Sequence, residues 1–205
     1  FGALVTEVIH FAGLTDLSLS DYQSVGVMFL NITPPIVVCN TLLLGKRWSL
    51  ATAQCTSMRD DPNMLDHLLQ WKLKYKFDGK QTTPKNFFID DKTLQNYFEQ
   101  MSIIDWDVHF SEKGDTSDSI TNPVIPILSD KCEMYANTIV KKIRNYEFCV
   151  TFKNNSGLAD HGAMFVMNAK IIGFFSWGDR RGKGMPLIIL NISPFREWFE
   201  SIIYE

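Results

Sequence analysis

Four cysteines restrict the fold of this chain more than any other feature of its sequence. They are Cys39, Cys55, Cys132 and Cys149, an even number that allows three pairings, of which the pairing of neighbours is the simplest. The intervals between them are too long for the short Cys-x-x-Cys hooks of zinc sites, and no histidine adjoins a cysteine. We therefore predict two disulfides, which form in an oxidising compartment.

Three Asn-x-Ser/Thr motifs fit the same compartment, because such motifs accept N-linked glycans. They begin at Asn31, Asn154 and Asn191. Proline follows the motifs at Asn31 and Asn191, which lowers the chance of glycan attachment at those two positions. Together the cysteines and the motifs predict a secreted, extracellular glycoprotein with disulfide bonds.

The composition excludes several classes of protein. Of the 205 residues, 45% are hydrophobic and 21% are charged, which suits one large globular domain or two small ones rather than a disordered chain. A net charge of -3 argues against nucleic acid or an anionic membrane surface as the partner. No apolar run reaches about 18 residues, so we expect no membrane span.

Short β-prone runs separated by turn-forming residues recur along the chain. No alternation of strands with helices and no internal repeat is visible, so an all-β fold with antiparallel strands is favoured. The polar stretch at residues 111–122 is predicted to be a surface loop. The β-prone runs include Val25–Leu30, Ile36–Leu44, Leu69–Phe77, Ser102–Phe110, Phe148–Phe152, Ala163–Met167 and Lys170–Trp177.

The last segment of the chain has the pattern of an amphipathic helix. Ser193 is a good N-cap and Pro194 suits the first helical position. Shorter helices are predicted at Glu133–Ile143 and Lys92–Met101. The apolar residues of the last segment share one helical face, which must pack on the body of the protein, and they are Phe195, Trp198, Phe199, Ile202 and Ile203.

Several segments resemble the trypsin/chymotrypsin-like serine proteases. Residues 38–55, VCNTLLLGKRWSLATAQC, are similar to the strand, the Trp and the A-A-H-C run around that family's catalytic histidine. Residues 160–178, DHGAMFVMNAKIIGFFSWG, are similar without a gap to its D-S-G-G-P through S-W-G block. VIPILSDKCEMY and MPLIIL with FREWFESI resemble the segments around its later cysteine, its pocket and its closing helix.

The resemblance implies two antiparallel Greek-key β-barrels with a C-terminal α-helix, an active-site cleft between the barrels, and disulfides Cys39–Cys55 and Cys132–Cys149. We predict the N-terminal barrel at residues 1–93 and the C-terminal barrel with the helix at residues 94–205. Only residues 56–67 remain where the family has two more strands. Either the first barrel is shortened, or residues are missing from this segment.

The family's catalytic triad has no counterpart at the matching positions. Its reaction needs a serine nucleophile, a histidine base and an aspartate that fixes the histidine tautomer. Gln54 stands at the histidine position, His67 at the aspartate position and His161 at the serine position. An amide has no basic nitrogen, so we predict no peptide hydrolysis by this route.

The surrounding machinery is altered as well. Ala159 replaces the glycine whose N–H belongs to the oxyanion hole, Leu187 replaces a pocket glycine, and Gly157 replaces a pocket cysteine. Asn155 falls where trypsin-like members carry an aspartate on the pocket floor. The resemblance places six residues at the former pocket: Asn155, Ser156, Ser176, Trp177, Gly178 and Leu187.

Asp160 is retained from the family's motif. In active members it pairs with a new N-terminus released by cleavage, which would map near Ile9. Residues 1–8 contain no Lys or Arg, so no trypsin-like cut before Ile9 is expected. The DRRGKG segment at residues 179–184 could bind an acidic partner or a sulfated glycan, but a solvated loop is the favoured interpretation.

These patterns predict a non-catalytic protein that binds another extracellular protein, namely a protease, a protease substrate or an inhibitor. No cofactor and no metal are expected. One alternative is an enzyme with rebuilt chemistry or a metal site around Asp160, His161 and His67. Another is a structural, adhesive extracellular module. An open cleft with an accessible His161 would favour the enzyme, whereas a site filled by Leu187 and Met164 would favour a binding protein.

Overall fold

The computed structural model describes residues 3–7, 25–30, 36–43, 48–53, 55, 71–75, 90–106, 119–154, 157–168, 170–195, 197, 198 and 201. The chain divides into two compact units, Phe1–Thr83 with Trp106–Ile120 and Pro84–Asp105 with Thr121–Glu205. The boundary that we predicted between residues 93 and 94 falls inside the second unit. It would also cut a helix that begins at Asp91.

The first unit contains a five-stranded antiparallel sheet in the order β1-β4-β3-β2-β5. Its buried cluster includes Met28, Ala51 and the predicted disulfide Cys39–Cys55, which is confirmed. Closure of this sheet into a barrel remains a prediction. The strands are β1 (Ala3–Glu7), β2 (Val25–Leu30), β3 (Ile36–Leu43), β4 (Trp48–Thr52) and β5 (Trp71–Tyr75).

Six strands of the chain's second half close into an antiparallel barrel in the order β10-β11-β8-β7-β6-β9. This closed barrel confirms the predicted all-β architecture for that half. The strands are β6 (Met101–Trp106), β7 (Ser119–Ile127), β8 (Glu147–Phe152), β9 (Met164–Met167), β10 (Lys170–Gly178) and β11 (Leu187–Asn191).

Alternate residues of the barrel strands form its core, as the two-residue period of a strand requires. On β8 the large side chains of Phe148, Val150 and Phe152 belong to the core cluster. The ring of Phe148 meets the ring of Phe165 edge to face, with centroids 5.0 Å apart. A second buried cluster contains the other predicted disulfide, Cys132–Cys149, which is also confirmed.

Two short helices lie in the second unit, near their predicted places. Helix α1 (Asp91–Asn96) is capped by Asp90, whose carboxylate accepts a hydrogen bond from the Thr93 N–H at 2.7 Å. Helix α2 (Ser129–Asn137) begins four residues earlier than the run that we predicted. No helix in the described part of the chain has the length and apolar character needed to cross a bilayer.

Helix α2 ends in a Schellman motif with an unusual residue. The Lys141 N–H donates to the Ala136 carbonyl and the Val140 N–H to the Asn137 carbonyl, both at 3.1 Å. Val140 sits at the left-handed position of this motif with φ 55° and is 96% exposed. Glycine is the usual residue there, because a Cβ costs about 1–2 kcal/mol in that conformation.

Two other predictions about local structure differ from what is observed. Strand β7 begins at Ser119, inside the predicted loop at residues 111–122. It contains two prolines, which in a sequence argue against a strand.

In the last segment a 3-10 turn, Ser193–Phe195, precedes helical residues 197, 198 and 201. Trp198 is 43% exposed rather than buried. Phe199, Ile202 and Ile203 lie outside the described residues.

The three predicted glycosylation sites differ in how accessible their asparagines are. Asn154 is exposed, and Asn31 lies outside the described residues. Asn191 is only 5% exposed, and its side-chain oxygen accepts a hydrogen bond from the Ser193 N–H at 3.0 Å. A glycan requires an accessible amide nitrogen, so this burial argues against attachment at Asn191 in the folded protein.

We expect Val140→Gly to stabilise the second unit by about 0.5–1 kcal/mol. The gain from relieving the left-handed Val exceeds the entropy that a glycine adds to the unfolded chain. Urea unfolding should show a higher midpoint with an unchanged slope. Val140→Ala keeps a Cβ at the strained position and is the matched control. An equal gain in the alanine variant would contradict the explanation by strain.

Candidate functional site

Asp160, the residue retained from the family's motif, is paired with a cation from within the chain. Its carboxylate forms a salt bridge with the guanidinium of Arg180, the second residue after β10. The side chain of Asp160 is 20% exposed and that of Arg180 is 47% exposed. The Asp160 N–H donates to the buried carboxylate of Asp105 at 2.6 Å. Asp160 is therefore held at both its backbone and its side chain.

Arg180 also binds the residue before Asp160. The Ala159 N–H donates to the Arg180 carbonyl at 2.9 Å, and the Ala159 carbonyl accepts from the Arg180 Nε at 3.2 Å. The resemblance assigns the Ala159 N–H to the oxyanion hole. Because this N–H already donates to a carbonyl of the chain, it cannot also point at a substrate oxygen in this conformation.

His161, at the predicted nucleophile position, is held in a tight turn. The Ala163 N–H donates to the Asp160 carbonyl at 3.0 Å, and Gly162 has φ 76°, the left-handed conformation that a type II turn needs at its third residue. The imidazole is partly buried and stacks on the ring of Phe175, with centroids 6.5 Å apart and planes 16° apart. An imidazole can exchange protons, but this position carries no hydroxyl.

The other two triad positions, Gln54 and His67, lie outside the described residues. Their geometry relative to His161 therefore stays a prediction. Among the residues that the structure does describe, no group of three or more His, Cys, Asp or Glu side chains could hold a metal ion.

Large side chains fill the space around the predicted pocket residues Gly157 and Leu187. Leu187 is fully buried in the barrel core, and a Cβ added to Gly182 would lie 3.1 Å from its Cδ1. Phe152 is 4% exposed, and a Cβ at Gly157 would lie 2.2 Å from its ring. Any side chain at Gly157 would therefore force the Phe152 ring or the local backbone to shift.

The remaining pocket predictions have mixed outcomes. Ser176, Trp177 and Gly178 are partly buried, whereas Asn155 and Ser156 lie outside the described residues. The Trp177 side chain contacts other residues of the second unit, and its Nε1 donates to a Glu147 carboxylate oxygen at 3.0 Å. Lys141 places its ammonium 4.5 Å from the centre of the Trp177 ring.

The loop at residues 179–184 is organised by its first residue. The carboxylate of Asp179 accepts hydrogen bonds from the N–H groups of Arg181, Lys183 and Gly184, at 2.8 to 3.0 Å. These bonds, led by the one from Gly184, lower the pKa of Asp179. Arg181 and Lys183 are exposed, whereas Arg180 is engaged with Asp160.

No protein-family model matches the chain, and no curated protein matches its sequence. Among solved structures, the chain is similar to neuropsin, a serine protease expressed in the limbic system of mouse brain. The TM-score is 0.60 over 89% of this chain and 95% of that one, at 17% sequence identity. The fold is trypsin-like. At this identity the similarity establishes the fold and does not extend to activity.

The sequence did not indicate the roles of two residues of the site, Arg180 and Asp105. Each of them contacts a residue that is distant in sequence and that only the fold brings close. Arg180 was assigned to a solvated basic loop, although it is the cation that pairs with Asp160. Asp105 lies 55 residues before the N–H that it accepts from. The sequence does show that Arg180 follows the SWG motif and Asp179. That position alone did not indicate that Arg180 pairs with Asp160.

We expect Arg180→Gln to lower the free energy of unfolding by about 1 kcal/mol, because the pair is partly exposed and screened by solvent. A double-mutant cycle with Asp160→Asn should give a coupling energy of similar size. Arg181→Gln removes an exposed neighbouring guanidinium and is the control, with no expected change. A coupling energy near zero would show that the salt bridge does not hold the site.

We expect Asp179→Asn to destabilise the protein at neutral pH but not in acid. Hydrogen bonds lower the pKa of folded Asp179, so its ionised form stabilises the fold above the unfolded pKa. This contribution is lost as the pH falls through the lower folded pKa. Urea unfolding between pH 7 and pH 2 tests this, with Glu99→Gln, which removes an exposed carboxylate outside this loop, as the control. A difference between Asp179→Asn and the unsubstituted chain that persists at pH 2 would contradict it.

Proposed function

We propose that this chain is a secreted, catalytically inactive protein of trypsin-like fold that acts by binding another extracellular protein. The partner is a protease, a protease substrate or an inhibitor, and the chain serves as a decoy, cofactor or regulator of a protease pathway. The observation that carries the proposal is the hydrogen bond from the Ala159 N–H to the Arg180 carbonyl, at 2.9 Å.

This bond matters because acyl transfer depends on N–H donors that point at the developing oxyanion. The loss of one such donor costs about 10²–10³ in rate in well-studied cases. Freeing the Ala159 N–H would require residue 180 to move. That movement is opposed by the Arg180 guanidinium, which holds the Asp160 carboxylate and the Ala159 carbonyl.

The residue types at the triad positions support the same conclusion. An imidazole at His161 offers no hydroxyl for an acyl intermediate, and an amide at Gln54 offers no base to activate one. A rebuilt dyad of His161 with Asp160 is disfavoured, because the Asp160 carboxylate is paired with Arg180. The Asp160–Arg180 salt bridge thus argues against Asp160 as the acid that would orient His161 in the alternative enzyme.

A binding role is supported by the surface next to the former nucleophile. Leu158 is 44% exposed directly beside Ala159, and Arg181 and Lys183 are exposed on a loop that Asp179 orders. Ordered loops on a rigid barrel are a common location for binding sites, because the scaffold fixes their shape. The two disulfides are compatible with secretion.

The absence of catalysis is tested with a fluorophosphonate probe and a broad peptide library. We expect an unchanged protein mass after incubation with the probe, and no cleavage above a blank, while trypsin run in parallel reacts with both. His161→Ser should remain unlabelled too, because the new hydroxyl lacks a base and the Ala159 N–H is still engaged. Labelling or turnover by the unsubstituted chain would refute the proposal of inactivity.

The binding role is tested by surface plasmon resonance against a panel of trypsin-like proteases and their protein inhibitors. We expect at least one reversible complex of nanomolar to micromolar affinity, with the chain intact afterwards. The reduced and alkylated chain, which cannot keep its fold, is the control. Cleavage of a panel protein by the chain would point back to an enzyme.

A further inference from the structure

Exposed apolar side chains cluster at the end of helix α2. Four of the seven large hydrophobic residues that are exposed in the described part of the chain fall within residues 134–140. Single exposed apolar residues are ordinary, whereas several within one short segment are typical of an interaction surface. We call this cluster the α2 patch. Its members are Met134 (60% exposed), Tyr135 (36%), Ile139 (46%) and Val140 (96%).

The conformation and exposure of Val140 also suggest that the α2 patch is a binding surface. It takes a left-handed conformation that glycine would adopt without strain, and almost all of its side chain faces solvent. Its Cβ therefore costs stability and returns little burial within the isolated chain. Such a residue is expected where the side chain is buried by something outside the chain.

The charges at the two ends of the α2 patch have opposite sign. At the start of the helix, Asp130 and Glu133 are exposed, and Lys131 is the helix's one basic residue. A further carboxylate, that of Asp91, accepts hydrogen bonds from the Ser129 N–H and hydroxyl at the helix start. Beyond the helix end, exposed side chains carry positive charge, and they belong to Lys141, Lys142 and Arg144.

A nearby carboxylate does not cancel this positive end. Glu147 is partly buried, and its two oxygens accept hydrogen bonds from the Trp177 Nε1 and from the Arg144 N–H, both at 3.0 Å. The Lys141 ammonium lies over the Trp177 ring. Lys142 is thus the cation best placed to meet an acidic group from outside.

We propose that the α2 patch is a self-association surface on which two copies of this chain pair. A two-fold axis perpendicular to the two α2 helices makes them antiparallel, so the acidic start of one helix lies against the basic end of the other. Met134 and Tyr135 then meet at the centre, and Asp130 of each copy faces Lys142 of the other. The same surface is complementary to itself, which explains why both charge signs flank one apolar patch.

The size of the patch sets the strength of the association. Four side chains of this kind offer roughly 400 Å² of apolar surface, within the range for the largest patch of a typical monomer. Two copies with their charged rims bury on the order of 1,000 Å², near the lower limit for a specific interface. The dimer is therefore weak and reversible, and salt weakens it further by screening the rims.

Sedimentation equilibrium of the full chain, from about 5 µM to 1 mM, tests the proposal. We expect a monomer–dimer equilibrium that Lys142→Glu and Asp130→Lys each weaken at least fivefold. An equimolar mixture of these two variants should associate again, because both contacts between positions 130 and 142 join opposite charges in the mixed dimer: one is the native pair and the other is its reversed form. Lys153→Glu and Phe98→Ser are the matched controls, since they change an exposed charge and an exposed apolar residue outside the α2 patch.

Three results would overturn the proposal: a monomer at every concentration, a dimer that both charge variants leave unchanged, or a mixture that fails to associate. Val140→Gly offers an independent measurement, because it should weaken the dimer while it stabilises the fold. The inference goes beyond the proposed function and depends on different residues. None of these results bears on the inactivity argued from Ala159 and Arg180.

Discussion

Closure of six strands into a barrel fixes the volume that the side chains inside it must fill. Phe152 and Leu187 take up this volume near Gly157 and Gly182, where an added Cβ would lie 2.2 Å from the Phe152 ring and 3.1 Å from Leu187. A side chain at Gly157 would force the Phe152 ring to shift, whereas one at Gly182 would require Leu187 to give by a few tenths of an ångström. Around these four residues the interior is closely packed, and Phe152 and Leu187 belong to the barrel core.

The segment that would carry the nucleophile depends on one residue that follows the barrel strand β10. Arg180 contributes a carbonyl to Ala159 and a guanidinium to both Ala159 and Asp160, while Asp105 accepts from the Asp160 backbone. In the family that the sequence resembles, a newly cut N-terminus provides the cation for this aspartate. Here the cation is the side chain of Arg180, whose guanidinium does not have to be created by chain cleavage.

Local patterns in the sequence predicted most of the barrel, and contacts between distant segments escaped them. Runs such as Val25–Leu30 and Lys170–Trp177 lie within one residue of the observed strands, because a two-residue hydrophobic period is a local signal. Strand β7 has no counterpart among the β-prone runs, and its residues Thr121, Asn122 and Pro123 indicate a loop. At the site, His161 and Asp160 could be found by motif. Arg180 could not, because a salt bridge to Asp160 leaves no trace in the residues around either partner.

The two disulfides each join cysteines that are neighbours in sequence, 16 and 17 residues apart, within a single unit. Loop closure costs less entropy for short loops, and every other pairing would close loops several times longer. The difference amounts to roughly 1 kcal/mol or more per bond, so an unfolded chain already favours the native pairs. The Cys39–Cys55 bond can form while the later half of the chain is still being synthesised, and little reshuffling of mispaired cysteines is needed.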